Sequence, residues 1–425
     1  MRRGRCGAGV PARIIGRMSP PETLSRDAGV LIVGGGLVGA SLAIALDVAG
    51  IPATLVEAAA PRVGAQPSYD ERNLALARAT VNGLDAIGVW AHAATSATPI
   101  RHIRVSRAGE FGSARIDAAR QGVDALGWTL PARELGEALL RRLDACTRLT
   151  RLAPAKLEAL EAHPAGWRAR IRMADGERTI DAALLVGADG TESFVRGRLG
   201  IDAERLDYEQ TLFVATVTPE HGHANRAFER FSDDGPVALL PLAGHRCGLV
   251  LTVPGEQAEA VAALDDDAFI ALAQQRFGWT LGRLARPGKR HPYAIRRVAA
   301  RQLTGPRAVL VGNAAQTVHP IGAQGFNLGL RDALTLAELV AAAADPGAAE
   351  LLQRYAVRRA PDREGTMAMS HGLVRLACLE QPLLAPLRSL ALLAYDRVSP
   401  LQHLLVRRGM GFRGEPPRAV LERLP

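Results

Sequence analysis

The segment Val311-Gly312-Asn313-Ala314-Ala315-Gln316-Thr317-Val318-His319-Pro320-Ile321-Gly322-Ala323-Gln324-Gly325-Phe326-Asn327 decides how this chain is read. The apolar run Ala308 to Val311 before it has the character of a buried strand, and a helical pattern from Phe326 to about Val340 follows. A strand, a glycine-rich turn with amide donors and a helix N-terminus together offer free backbone N–H groups to an electron-rich or anionic group. Far upstream lies a second loop of nucleotide-binding type, Gly34-Gly35-Gly36-Leu37-Val38-Gly39. Two such loops so widely separated point to one large cofactor held at both ends, and FAD fits that description.

The upstream loop sits where its chemistry requires. Gly29 to Val33 predicts a strand, Val38 to Ala49 a buried helix, and Ala53 to Val56 a second strand closed by Glu57. Gly34, Gly36 and Gly39 permit the tight turn, the approach of a pyrophosphate to the backbone and close helix–strand packing. Glu57, at the end of the second strand, is placed to accept from ribose hydroxyls. Asp189-Gly190, after the apolar run Ala183 to Val186, is ambiguous alone; beside the two glycine loops it suggests a carboxylate near the cofactor chain. His319, between Val318 and Pro320, reads as a packed loop residue in preference to an acid or base. Arg331-Asp332 reads as a solvated or capping pair. Arg72, after Tyr69-Asp70, suits either cofactor orientation or a surface ion pair.

Composition narrows the class. The 425 residues are 48% hydrophobic and 22% charged, ordinary for a soluble globular chain, and no apolar run is long enough to span a bilayer. The formal charge of +9 is concentrated at the N-terminus, where Arg2, Arg3, Arg5, Arg13 and Arg17 meet no acid; no basic, aromatic-interleaved stripe argues for nucleic acid. Cys6, Cys146, Cys247 and Cys378 are dispersed, which fits neither a disulfide framework nor a metal cluster and favours a reducing cytoplasm. Zinc-type His/Glu spacing, a GxSxG elbow and a phosphate loop of the GxxxxGK type are all absent, so hydrolase and NTPase readings have no support.

The pattern divides the chain as follows. Residues 1–28 form a disordered extension, with Met18 an alternative start. FAD-binding segments cover 29–102, 131–200 and 301–345. Strands of a second sheet occupy 103–130, a β-rich substrate domain 201–300, and a helical region 346–425. The fold class is α/β: a Rossmann-like doubly wound FAD-binding domain with an inserted antiparallel sheet and a C-terminal helical region.

Together these residues resemble the FAD-dependent aromatic monooxygenases of the para-hydroxybenzoate hydroxylase type, in particular their ubiquinone-biosynthesis branch. The resemblance is carried by GGGLVG, by Asp70-x-Arg72-x-x-Ala75-Leu76, by GADGTESFVR (Gly187–Arg196), by FERF with GPVALLPL, and by the long Val311–Glu338 run. Most of that family has Gly-Asp and Ala-His where this chain has Gly312-Asn313 and Ala315-Gln316, a neutral variant similar to the 2-polyprenyl-6-methoxyphenol hydroxylases. Gly322-Ala323 also reverses the order common there. The resemblance implies that Gly34, Gly36, Gly39 and Glu57 hold the ADP half, and that Arg72 and Arg133 contact the cofactor near its pyrophosphate or ring. It further implies that Asp189 belongs to the motif supporting NADPH or NADH use, that Gly312 and Asn313 hold the ribityl chain, and that Gly325, Phe326 and Asn327 hold the pyrimidine edge. The Pro320 backbone would face the aromatic substrate.

The implied reaction is hydroxylation of a polyprenylated methoxyphenol with O2 as co-substrate, through a flavin C4a-hydroperoxide; no phenol-deprotonating base stands out. The apolar, arginine-bearing stretch Leu373 to Arg408 leaves open peripheral contact with the inner membrane or with other ubiquinone-biosynthesis proteins, though helices packed on the FAD domain are the simpler expectation. Halogenases of this fold use a lysine between flavin and substrate. This chain has only Lys156 and Lys289, both away from the motifs. A non-catalytic flavin- or quinone-binding scaffold remains the alternative.

Overall fold

The computed structural model describes residues 28–60, 66–377, 386, 389–390, 394–395 and 399–421. The N-terminal extension before residue 28 and part of the apolar C-terminal stretch lie outside the described residues.

Strand β1 (Ala28–Val33) turns through Gly34–Gly36 into helix α1 (Leu37–Val48) and returns as β2 (Ala53–Val56), parallel to β1. Val30, Leu31 and Ile32 are fully buried, and so are Leu42, Ile44 and Leu46 of α1. Near-continuous apolar runs of this kind are what a parallel strand covered on both faces requires. Next come β3 (Asn73–Ala77), α2 (Arg78–Ala86), β4 (Thr98–Ile100), β5 (His102–Arg107), β6 (Ser113–Asp117), β7 (Gly127–Pro131) and α3 (Ala132–Asp144). Strands β8 (Leu149–Leu152), β9 (Ala155–His163), β10 (Gly166–Met173) and β11 (Gly176–Gly187) complete the first half.

The β10–β11 hairpin turns on Ala174-Asp175, with Gly176 opposite Met173. β11 pairs with a different partner along each part of its length. Its first part pairs antiparallel with β10, and its last part runs parallel to β1.

After α4 (Phe194–Arg198) the long strand β12 (Ala203–Pro219) opens the second sheet, followed by β13 (Arg226–Phe231), β14 (Val237–Leu242), β15 (Arg246–Pro254), α5 (Asp266–Phe277), β16 (Leu284–Ala285) and β17 (His291–Ala300). β18 (Thr304–Gly305) and β19 (Ala308–Leu310) return to the first sheet. β20 (Gln316–Thr317), α6 (Gln324–Ala341), α7 (Ala349–Ala377) and α8 (Ser399–Gly409) follow.

The first sheet runs β18-β19-β11-β1-β2-β8, with β9 and β10 hydrogen-bonded off that path. The second runs β20-β17-β12-β15-β14-β13-β5-β6, so β5 and β6 reach it from the chain's first third. A three-stranded sheet, β3-β7-β4, was not anticipated; it is coupled to the second sheet where Thr129 donates to the Pro241 carbonyl at 2.5 Å.

Period-two alternation gives the second sheet two different faces. Phe213, Leu239, Leu249 and Leu251 point to a core closed by Phe269 and Phe277 of α5. Leu212, Val214, Val250, Tyr293 and Ile295 point the other way. Three contacts show that this second, inner face looks toward the half built on the first sheet. Tyr208 lies edge-on to His319 at 4.8 Å, the Tyr293 hydroxyl donates to Asp70 Oδ2 at 3.1 Å, and a Cβ on Gly248 would meet the Asn73 amide at 2.4 Å.

Candidate active site

The upstream loop is built by backbone and small residues. Gly34 has φ +102°, and a Cβ there would lie 2.5 Å from the Ala188 carbonyl oxygen; a Cβ on Gly39 would lie 1.9 Å from that of Gly34. Glu57 turns onto the loop, Oε2 accepting from Gly35 N at 2.5 Å and Oε1 from Ala59 N at 2.6 Å. Each oxygen keeps a lone pair for a further donor. Gly35, Leu55, Glu57, Gln66, Tyr69 and Arg151 line a pocket beside it. The Tyr69 hydroxyl donates to the Gly35 carbonyl at 3.2 Å; burial, and then the Glu57 carboxylate, keep it protonated far above the ordinary tyrosine range. Ser68 Oγ is buried without a partner, 3.1 Å from where a Gly36 Cβ would stand. An orphaned hydroxyl beside the first turn of α1, whose N–H groups lack intrahelical partners, fits an anionic diphosphate.

Arg72 and Arg133 are brought together by backbone bonds, Ala132 N to Arg72 O at 2.8 Å and Arg133 N to Asp70 O at 2.9 Å. Arg72 pairs with Asp70 at 2.7 Å and lies over the Tyr293 ring. Arg133, 45% exposed, pairs with Glu71 and Glu134. Burial and then Asp70 push the Tyr293 hydroxyl up to about 12.

The Asp189 carboxylate is more committed than the sequence suggested. It accepts from the Ser193 hydroxyl at 2.5 Å and from Val195 N at 3.0 Å, holding the start of α4. Arg196, buried and not anticipated, donates to the carbonyls of Ala314 at 2.9 Å and Thr191 at 2.8 Å. The Thr191 and Thr317 hydroxyls meet at 2.8 Å. Asp189 and Arg196 therefore lock the Asp-Gly loop to the downstream glycine loop.

That downstream loop is propped from behind. Gly312, at φ +59°, donates from its N to Asp332 Oδ2 at 3.3 Å, and Gln316 Nε2 donates to the same oxygen at 2.6 Å. Arg359 holds Asp332 Oδ1 at 2.7 Å and also reaches Asp362, which Arg331 grips with two bonds. These four charged side chains are 1–2% exposed. This corrects the expectation of a solvated Arg331/Asp332 pair: each partners α7 in the core. Despite burial, Arg331 and Arg359 hold the Asp362 carboxyl below its usual range. Gln316 also accepts from Arg363 at 2.9 Å, so its amide serves as donor and acceptor at once.

Asn313 and Pro320 are exposed, and Asn313 has no partner among the described residues. Gly322 and Ala323 both adopt left-handed φ, +68° and +51°, before α6 starts at Gln324. Gly325 and Phe326 occupy its first turn, where backbone N–H groups lack intrahelical partners. Asn327 differs from expectation. Its Oδ1 accepts from Ala77 N and the Thr80 hydroxyl, and its Nδ2 donates to the carbonyls of Ala75 and Ala323. With that many bonds made, its side chain positions the loop and has nothing left to offer a flavin. His319 is 2% exposed and burial pushes it down to about 4, so it is neutral; its Nδ1 accepts from Ile321 N at 3.1 Å. This agrees with a packed loop residue.

Both glycine loops and the inner face of the second sheet thus border one region, with free N–H groups at each end. The FAD binding domain family matches residues 27–370. The chain is 38% identical over 410 residues to ubiquinone hydroxylase UbiL of Rhodospirillum rubrum, covering 94% of each chain. It belongs to the FAD-dependent aromatic monooxygenases. Against 3-demethoxyubiquinol 3-hydroxylase of Escherichia coli it is 31% identical, covering 90% of this monooxygenase and 98% of that one. In fold it is similar to p-nitrophenol 4-monooxygenase PnpA of Pseudomonas putida, with a TM-score of 0.78, 19% identity, and coverage of 91% and 98%.

Proposed function

We propose that the protein hydroxylates the ring of a polyprenylated methoxyphenol in ubiquinone biosynthesis, with the aromatic ring held between the Pro320 backbone and the inner face of the second sheet. Ring hydroxylation with FAD, NAD(P)H and O2 is the activity of the family to which the chain belongs. The observation that carries the finer reading is the apolar inner face, with Leu212, Val214, Val250 and Ile295 set opposite the downstream glycine loop.

The residues divide the work. Gly34, Gly36, Gly39, Ser68 and Glu57 hold the ADP half; Arg72 and Arg133 lie between the two ends; Gly312 and Asn313 meet the ribityl chain. The free N–H groups of Gly325 and Phe326, at the positive end of α6, stabilise negative charge on the pyrimidine edge. FAD, when bound, supplies electron transfer from NAD(P)H to O2 and delivery of one oxygen atom. The aliphatic inner face excludes water and aligns the ring.

For the prenyl tail, we place the membrane side at the β6 edge of the second sheet. Gln402 of α8 donates to the Arg115 carbonyl there at 2.9 Å, and Phe111 (71%), Leu390 (56%) and Leu404 (49%) are exposed nearby, with Arg407 and Arg408 in the last turn of α8. No helix among the described residues is long and apolar enough to cross a membrane, and the arrangement suits interfacial contact.

The test is mass spectrometry after incubation of the flavin-loaded protein with a short-chain 2-prenyl-6-methoxyphenol, NAD(P)H and 18O2. One labelled oxygen gained on the ring, dependent on reductant and O2, is the expected result. NAD(P)H left unconsumed with that phenol present overturns the catalytic assignment in favour of a scaffold.

A further inference from the structure

The inner face of the second sheet carries one carboxyl that no interaction explains. Residues directly opposite one another on neighbouring strands share a face, and the ladder gives the row Ala114, Val105, Glu229, Ala238, Val250 and Val214 from β6 across to β12. Its far end on β17 is His291. Glu229 lies in the middle of that row, on β13, while its neighbour Phe228 points to the opposite face and packs on Phe277.

Val214 and Val250 of the same row belong to the apolar patch that includes Tyr208 and Tyr293, which touch His319 and Asp70. Glu229 lies on that same face, two strands from Val250, about 10 Å across the ladder, so a ring seated on Val250 can bring its hydroxyl toward it. Among the described residues it has neither a hydrogen-bond nor an ion-pair partner. The row beside it contains Gly248, and against Gly248 stands Asn73, whose amide nitrogen and oxygen are both buried without partners. Buried polar groups are nearly always satisfied, so the orphaned Asn73 amide on this face points to a polar group of a ligand.

We infer that Glu229 is the catalytic base that takes the proton from the substrate's phenol hydroxyl, an inference that rests on the proposed ring hydroxylation. The O–H bond breaks, the proton passes to a carboxylate oxygen of Glu229, and the electron pair left on the phenolate oxygen raises the nucleophilicity of the ring carbon that accepts the oxygen atom. The proton then returns to the phenolate oxygen's position once the ring carbon has lost its own hydrogen as H+ to solvent and aromaticity is restored. Glu229 ends the cycle as it began.

The setting suits that task. Burial pushes the Glu229 carboxyl up to about 7, with no charged neighbour contributing. Such a carboxyl is substantially ionised at neutral pH yet basic enough to accept a proton. The charged groups nearest on the same face are engaged elsewhere: Arg107 pairs with Glu110 and Asp233, and Arg72 pairs with Asp70. His291 stands at the far end of the row.

The experiment compares flavin-loaded wild type with Glu229→Gln, using the short-chain phenol, NAD(P)H and 18O2. Two signals are read against pH: the ultraviolet signature of phenol against phenolate in the bound substrate, and labelled product per NAD(P)H consumed. The wild type is expected to bind the ring ionised well below the free phenol's own pKa. Glu229→Gln is expected to bind it un-ionised and to lose product by about 10²-fold, as removal of a general base typically does, with recovery as pH approaches the phenol's pKa. Glu229→Asp, which keeps the carboxylate on a shorter arm, is expected to fall between. Should Glu229→Gln fail to hold FAD, the Glu229→Asp comparison alone decides. Wild-type yield and an unchanged phenolate signature in the readable variant overturn the assignment. No labelled product from wild type overturns the hydroxylase reading itself, a result separate from any made with the variants.

Discussion

The two glycine loops do related work by different means. At Gly34–Gly39 the conformation is local: absent side chains let α1 close onto β1, and Glu57, from the very next strand, caps the loop. At Gly312–Asn327 the conformation is held from a distance. Asp332 reaches back from α6 to Gly312 and Gln316, and α7 supplies Arg359, Arg363 and Asp362 to complete the network. The first loop depends on what is missing, the second on buried charge that must be fully paired. Rigidity near a reacting ring thus comes from a support behind the loop, while rigidity near a diphosphate needs little beyond close packing.

Arg359→Ala should break the comparison hardest. It leaves the 2%-exposed Asp332 carboxylate without its guanidinium, and removing one partner of a buried pair costs about 3–5 kcal/mol. Urea denaturation should show that loss together with release of FAD, whereas Arg359→Lys should recover part of it. Near wild-type stability in Arg359→Ala would mean that the downstream loop, like the upstream one, stands without its support.

Gly39→Ala tests the upstream loop. The added methyl would sit 1.9 Å from a backbone oxygen, so α1 must shift; overpacking of this kind costs about 1–3 kcal/mol. The expected signature is weakened FAD binding out of proportion to the stability lost, because the backbone N–H groups that meet the diphosphate move with the helix. Unchanged flavin affinity, measured by fluorescence titration, would argue that the close α1–β1 approach serves packing alone.

How much of this was legible depends on the range of each constraint. The βαβ unit, the Asp-Gly segment and the downstream loop could be read because glycine, apolar runs and helix starts leave a local pattern. Arg331 and Asp332 were misread because adjacent opposite charges look like a surface pair, and their true partners lie on another helix. Asn327 sits in a family motif, and a motif does not reveal that an amide's bonds are already taken by Ala75, Ala77, Thr80 and Ala323. Asp189 likewise needed Ser193 and Val195 in view. The inner face holding Glu229 is encoded by simple alternation, but choosing which face meets the flavin required the ladder. The β3-β7-β4 sheet went unseen because its strands are short and far apart in sequence.

His319 sharpens the contrast through pH. Its folded pKa is depressed to about 4 by burial, against an unfolded value near 6.5. The neutral ring's contribution is therefore complete above about 6.5 and is lost as pH falls toward 4, with about 2 kcal/mol of it gone between pH 7 and pH 5. Urea midpoints at those two values should differ more for wild type than for His319→Gln. An equal difference in both would place the acid sensitivity elsewhere.

The smallest effect concerns the turn itself. Ala323 holds φ +51° and ψ 39°, a region where a Cβ costs about 1–2 kcal/mol, while Gly322 beside it has open space where a side chain would stand. Ala323→Gly removes that strain but frees the unfolded chain, which offsets about 0.4–1 kcal/mol, so a net stabilisation of no more than about 1.5 kcal/mol is expected. Gly322→Ala should cost a similar amount through its own φ of +68°, and the double variant, which exchanges the two residues, should be close to neutral. If the network behind the loop sets its geometry, all three variants keep FAD affinity within a few-fold of wild type. A large change in flavin affinity in Ala323→Gly, with stability unmoved, would shift the source of rigidity from the buried charges to the turn.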